Sequence, residues 1–251
     1  TEPLAKLRER ADYQIYLLAV RPEVTGWTTH HGLHTDLTKE ISWILDQPDL
    51  NHAVDGFVFG VRQDVAPCDG LKAVRDCLCD TDFKFILHVP CVGFDRTSAP
   101  TDDASRIHEL SRVAEAVLLA RANPELSVVV DNFVELDRGY FNCRGLMDRL
   151  YNPKDGSRIV TSLDKLLPNN LANPSIYQTS QHRIIMSESN AGHVLLIVAN
   201  GVFTSFEQNN PLPESLSNQQ GTLIDLVSEE EISTSYSALN ERATGKHTVQ
   251  S

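Results

Sequence analysis

Four short apolar runs, rich in β-branched and aromatic residues, recur through the first half of the chain: "YQIYLLAV" (13 to 20), "GFVFGV" (56 to 61), "FKFILHV" (83 to 89) and "LSVVV" (126 to 130). Their near-continuous hydrophobicity predicts strands buried on both faces of a parallel sheet. Between them the period changes to that of helices. "DLTKEISWILDQ" puts Leu37, Ile41, Ile44 and Leu45 on one face behind Thr35 or Asp36 as N-cap, and "DGLKAVRDCL" groups Leu71, Val74 and Leu78 behind Asp69. "TDDASRIHELSRVAEAVLLARAN" aligns Ile107, Leu110, Val113, Ala114, Val117 and Leu118, with Thr101 as cap and acids in its first turn.

Strand alternating with helix implies an α/β fold with right-handed parallel crossovers. Each strand runs into a long polar segment before its helix, as at the catalytic face of (β/α)8 barrels, and no Gly-rich phosphate fingerprint follows any strand. The expected architecture is therefore a set of TIM-barrel-like (β/α) units over residues 1–168, forming a partial barrel. "DGSRIVTSLDKLL" closes it as a helix with Ile159, Val160, Leu163 and Leu166 inward, and "PNNLANPS" follows as a linker. A small antiparallel β appendage is expected over 169–227. It comprises a hairpin with its turn at Asn190 to Gly192 and a third strand in "GTLIDLV" (221 to 227). The polar tail, 228–251, reads as disordered.

Composition narrows the functional classes. The chain has 251 residues, of which 41% are hydrophobic, enough for one large domain, and its formal net charge of −12 argues against nucleic acid as a partner. No run approaches the roughly 18 apolar residues of a membrane span, and the first residues lack a signal peptide's apolar core. The five cysteines (Cys68, Cys77, Cys79, Cys91, Cys143) are odd in number and set among apolar neighbours, which suits free thiols in a reducing, cytoplasmic compartment. Cys77 and Cys79 make a C-x-C without a second pair at zinc-site spacing.

On such a fold, chemistry belongs at the carboxyl ends of the strands. The first strand leads into "RPEVTGWTTHHGLHT", with Arg21, Glu23, Trp27, His30, His31 and His34; the second leads into "RQDVAPCDG", with Arg62 and Asp64 at the mouth. The third carries His88, more often a satisfied core histidine than a catalyst, with Cys91 after Pro90. The fourth delivers "DNFVELDRGYFNCRGLMDRLYNPK". If the strand continues through "DNFVEL", Asp131, Phe133 and Glu135 share one face. Two carboxylates there could divide acid and base or nucleophile roles, with Glu23 across the mouth as another member. Alternatively, Asp131 and Asp137 accept from Arg138, Arg144 or Arg149 and only anchor the loop.

The stretch ending in "GLMDRLYNPK", with Gly145, Leu146, Asp148, Asn152, Pro153 and Lys154 ahead of a last helix and a small β domain, resembles the close of TIM-barrel glycoside hydrolases. The resemblance implies the C-terminal half of such a barrel. It departs from the large retaining clan at the strand before last, which offers His88 and no glutamate, so that clan's catalytic residues are not carried over.

The leading expectation is a glycoside-hydrolase-like hydrolase acting on a carbohydrate or other small molecule, with Glu23, Asp131 and Glu135 as acid/base candidates and no metal or cofactor. Arg62, Asp64, His31, His88, Asp137 and Arg138 would orient substrate, and Trp27 or Tyr140 would stack on a sugar ring. A second reading is a metal-assisted hydrolase or lyase using His30, His31, His34, His88 and Asp131. A third is a non-catalytic binding or scaffold protein, a homo-oligomer if the barrel is incomplete, marked by an apolar sheet edge.

Overall fold

The structure, a computed structural model, describes residues 14–20, 53–61, 65–78, 84–90, 103–124, 126–131, 133–137, 142–143, 145–178, 182–190, 192–199, 220–224, 226 and 231–235, with Lys6 and Asp46. It is mixed α/β, with one parallel sheet and separate antiparallel ones. Four strands form the parallel sheet in the order β1 (Tyr16–Val20), β2 (Gly56–Gly60), β3 (Lys84–Pro90) and β4 (Ser127–Asp131). All three pairings are parallel. Each strand therefore needs a crossover to reach the next. Two of the crossovers contain α1 (Pro67–Leu78) and α2 (Asp103–Ala122). The four apolar runs thus form four sheet neighbours in chain order. Among the described residues the sheet does not close into a barrel, and the helix expected over 37 to 45 lies outside them.

Register puts Phe57, Phe59, Phe85, Leu87, Val89, Val128 and Val130 on one sheet face. This is the core: Phe57, Phe59, Leu87 and Val89 are almost wholly buried, and the Phe59 ring meets Phe85 edge-on with centroids 5.9 Å apart. Gly56 is required by the strand spacing, since a Cβ there would lie 2.0 Å from the Lys84 carbonyl oxygen. The opposite face grows more open toward β4, whose residues alternate exposed and half-buried, with Val129 47% exposed. Burial on both faces, expected for all four strands, therefore fails at β4, the last strand in the sheet order.

Helix α2 is the centre of the molecule. It packs against α1, β3, β4, the last helix α3 (Asp155–Leu166) and strand β9 (Gly192–Ala199). Neighbours on so many sides bury most of its circumference, including Val113, Ala114 and Leu118. Ile107, expected inward, is 44% exposed, because these turns of α2 bury the face carrying His108, Glu109 and Arg112 instead. In α3, Ile159 and Leu163 are buried as their spacing predicts, but Leu166 is 45% exposed at the final turn. Arg106 pairs with Asp155 at one end of the α2–α3 contact, and Arg121 donates to Asn169 (2.9 Å) and pairs with Asp164 at the other.

After α3, strands β7 (Ser175–Gln178), β8 (His182–Ser189) and β9 form an antiparallel sheet. The hairpin expected around Asn190 to Gly192 is present, with Gly192 at φ +135°. Its third strand is β7, not the "GTLIDLV" segment. That segment contributes β10 (Gln220–Ile224), paired with β11 (Glu231–Ser235) in a sheet of their own. β11 thus lies in the tail expected to be disordered. Leu167, Leu171 and Ile185 join the same hydrophobic cluster as Leu87, Val89 and Val113, so the antiparallel sheet and the α/β layers share one core. No helix among the described residues is long and apolar enough to cross a membrane.

Candidate functional site

Strand β4 ends at Asp131 rather than continuing through "DNFVEL". Asp131 pairs in register with Pro90, the last residue of β3, and Val129 with His88. His88 and Asp131 therefore lie two residues apart in register on neighbouring strands, and so on one sheet face, opposite the Leu87 and Val89 face that packs with α1 and α2. The His88 Nε2 stands 3.4 Å from the Asp131 Oδ2; the imidazole is largely covered and the carboxylate half exposed. His88, expected to orient substrate in the leading reading, and Asp131, its acid/base candidate, are brought together at the carboxyl end of the sheet.

Glu135 belongs to a different construction. Its backbone N–H donates to the Met147 carbonyl (2.9 Å), and the Met147 N–H donates to the Phe133 carbonyl (2.8 Å). Val134 and Met147 form an isolated parallel bridge, and Met147 a second, antiparallel one with Pro153. The segment after β4 is thus stitched to the "GLMDRLYNPK" loop, and Gly145 lets it come close: a Cβ there would lie 2.4 Å from the Glu135 nitrogen. The Glu135 carboxylate faces the Lys154 Nζ at 3.5 Å. Sharing of one strand face by Asp131, Phe133 and Glu135 is overturned, because the strand stops and the chain turns onto the loop. Asp137 lies in β5 (Leu136–Asp137), opposite Asn142 of β6 (Asn142–Cys143).

The loop itself is built on Asp148. Its Oδ1 accepts from the backbone N–H groups of Leu150 and Asn152, and its Oδ2 from the Asn152 side-chain amide, each at 2.8 Å. The Asn152 side-chain and backbone donors hold the Asp148 carboxyl below the ordinary carboxylate range. The tight turn forces Tyr151 to φ +64°, with its ring exposed.

Glu23, Trp27, His30, His31, His34, Arg62, Asp64, Arg138 and Tyr140 lie outside the described residues. His30, His31 and His34 of the metal reading are among them; among the described residues no group of three or more His, Cys, Asp or Glu is placed to hold a metal ion.

Sequence reasoning missed a buried charged network behind the mouth. Arg112 of α2 donates to the backbone carbonyls of Val61 (3.2 Å), Val65 and Pro90 (3.4 Å), which end β2 and β3 and line the turn into α1. One turn on, Glu115 accepts from the Cys68 backbone N–H at the start of α1 (3.1 Å) and from the Arg183 Nε of β8 (3.2 Å). The other arm of Arg183 reaches Asp69 at 3.1 Å. Burial pushes the Glu115 carboxyl up, offset in part by Arg183 and the Cys68 N–H. Burial also works against the Arg183 charge, but Glu115 and Asp69 outweigh it and hold the guanidinium above its usual value. The one signal for this network is two charged residues, Arg112 and Glu115, inside the apolar face of α2.

No protein-family model matches the chain, and comparison with curated proteins finds no match.

Proposed function

We propose that the chain is a glycoside-hydrolase-like protein that acts on a carbohydrate by carboxylate acid/base chemistry, its parallel sheet supplying part of a TIM-barrel-like mouth. The observation that supports this reading is the Asp131–His88 pair at the carboxyl ends of β4 and β3. A half-exposed carboxylate beside an imidazole can exchange a proton with a bound hydroxyl or glycosidic oxygen, while the imidazole fixes its orientation. Glu135, which faces Lys154 on the stitched loop, is the second carboxylate this reading calls on. The resemblance of "GLMDRLYNPK" to the close of glycoside-hydrolase barrels points the same way.

The test is turnover of a panel of aryl glycosides by the Asp131→Asn and Glu135→Gln variants. Asp131→Asn should lower turnover about 10²-fold or more, the usual contribution of a positioned acid or base, and Glu135→Gln by less. Turnover unchanged in both variants removes the carboxylate proposal.

A further inference from the structure

We infer that the C-terminal antiparallel sheet positions the mouth of the parallel sheet through Arg183, which acts by way of Glu115 on the β2–α1 turn. Three contacts carry this. Arg183 leaves β8 and meets Glu115 on α2; Glu115 also holds the Cys68 N–H at the first turn of α1; and Arg112, on the same helix, grips the carbonyls of Val61, Val65 and Pro90. Val61 in turn donates its N–H to the His88 carbonyl at 2.8 Å, and Pro90 is the register partner of Asp131. The steps between β8 and the residues carrying the proposed chemistry are therefore direct polar contacts, strand pairings and the single turn of α2 that joins Glu115 to Arg112.

Such a connection has a physical reason to be stiff. Glu115 and the Arg183 side chain are almost wholly enclosed, so neither can exchange its partner for water without exposing the core. Asp69, the other partner of Arg183, sits on the first turn of α1 beside Cys68. The guanidinium thus holds the start of α1 from two sides. Arg183 is a positioning residue, and the meaning of this for catalysis rests on the carbohydrate-acting reading of Asp131. The coupling itself needs no substrate to be observed.

Amide hydrogen exchange resolved by segment tests it in the absence of any ligand. In Arg183→Met, residues 61–70 should exchange about tenfold faster or more, as expected when a local unit loses its closing contact, with α3 as the internal reference. Arg183→Lys, which keeps the charge but loses the two-armed fork, should fall between the variant and the native protein. Acceleration confined to residues 175–199 would overturn the inference, because Arg183 would then anchor only its own sheet. Should Arg183→Met not fold, the native protein decides: under rising denaturant, residues 61–70 and 183–187 should open together with one denaturant dependence, and separate openings would overturn it. Loss of glycoside turnover plays no part in either readout, so this inference and the proposed function fail separately.

Discussion

Two sets of charges in this protein have opposite surroundings. Around Glu115 and Arg183 the charges are enclosed: Glu115 accepts two hydrogen bonds at 3.1–3.2 Å, and Arg183 stands 3.1 Å from the Asp69 carboxylate as an ion pair, its buried Nη2 making no hydrogen bond among the described residues. At the ends of β3 and β4, Asp131 and His88 are 3.4 Å apart with the carboxylate half in solvent, and on the loop after β4, Glu135 and Lys154 are 3.5 Å apart. Enclosed charges cannot be left unpaired without a large loss of stability, so their geometry is a structural commitment. Half-exposed pairs contribute little to stability and are free to change partners, which is what proton transfer to a substrate requires. The difference in burial therefore separates scaffold from candidate chemistry more sharply than residue type does.

The largest effect that bears on this contrast is at Arg183. Replacing it with Met strands Glu115 and Asp69 beside an apolar side chain, and the cost should be about 3–5 kcal/mol of unfolding free energy, the range for breaking a buried pair. Denaturant unfolding measures it. Combining Arg183→Met with Glu115→Met should recover part of the loss, since no buried carboxylate then lacks its cation at Glu115, although the Cys68 N–H loses its acceptor. A cost under about 1 kcal/mol for the single variant would place this pair among weakly contributing surface pairs and erase the contrast.

The same contrast explains which parts of the molecule were legible in the sequence. The strands β1 to β4 and the helices α1 to α3 follow from periodicity, because burial against a layer imposes period on a continuous segment. Strand β7 is four residues long, "SIYQ", too short to show alternation. The Arg183–Glu115 pair joins residues 68 positions apart, and no local pattern announces a partner at that range. His88 and Asp131 were each visible as polar residues at strand ends. Their meeting depends on the β3–β4 register, which is set by hydrogen bonding between strands rather than by either strand alone. A strand continuing through "DNFVEL" would put Glu135 on one face with Asp131, whereas Gly145 lets the Met147 backbone pair with residues 133 to 135.

An intermediate effect lies in the loop that holds Glu135. Tyr151 sits at φ +64°, a conformation that costs an L-residue roughly 1 kcal/mol or more, while the residue is 69% exposed and has little core contact to offset that cost. Tyr151→Gly removes the strain but adds freedom to the unfolded chain, so the net gain in stability should be at most about 1 kcal/mol, seen as a small rise in Tm. A loss instead would mean that the ring makes contacts at the mouth worth more than the strain, and would move this loop from scaffold toward function.

The smallest expected effect is the most discriminating for the mouth. Asp131→Asn keeps the shape of the side chain and removes its charge, and because the carboxylate is half exposed the pair with His88 should contribute no more than about 0.5–1 kcal/mol to stability. Denaturant unfolding of the variant at neutral pH should therefore nearly coincide with that of the native protein, even as turnover falls. That combination, chemistry lost and stability kept, is the signature of a group held for reaction rather than for folding. A loss above about 2 kcal/mol would show that Asp131 is anchored as Glu115 is. The His88 contact would then belong to the closure of the sheet edge, and the acid/base assignment would lose its support.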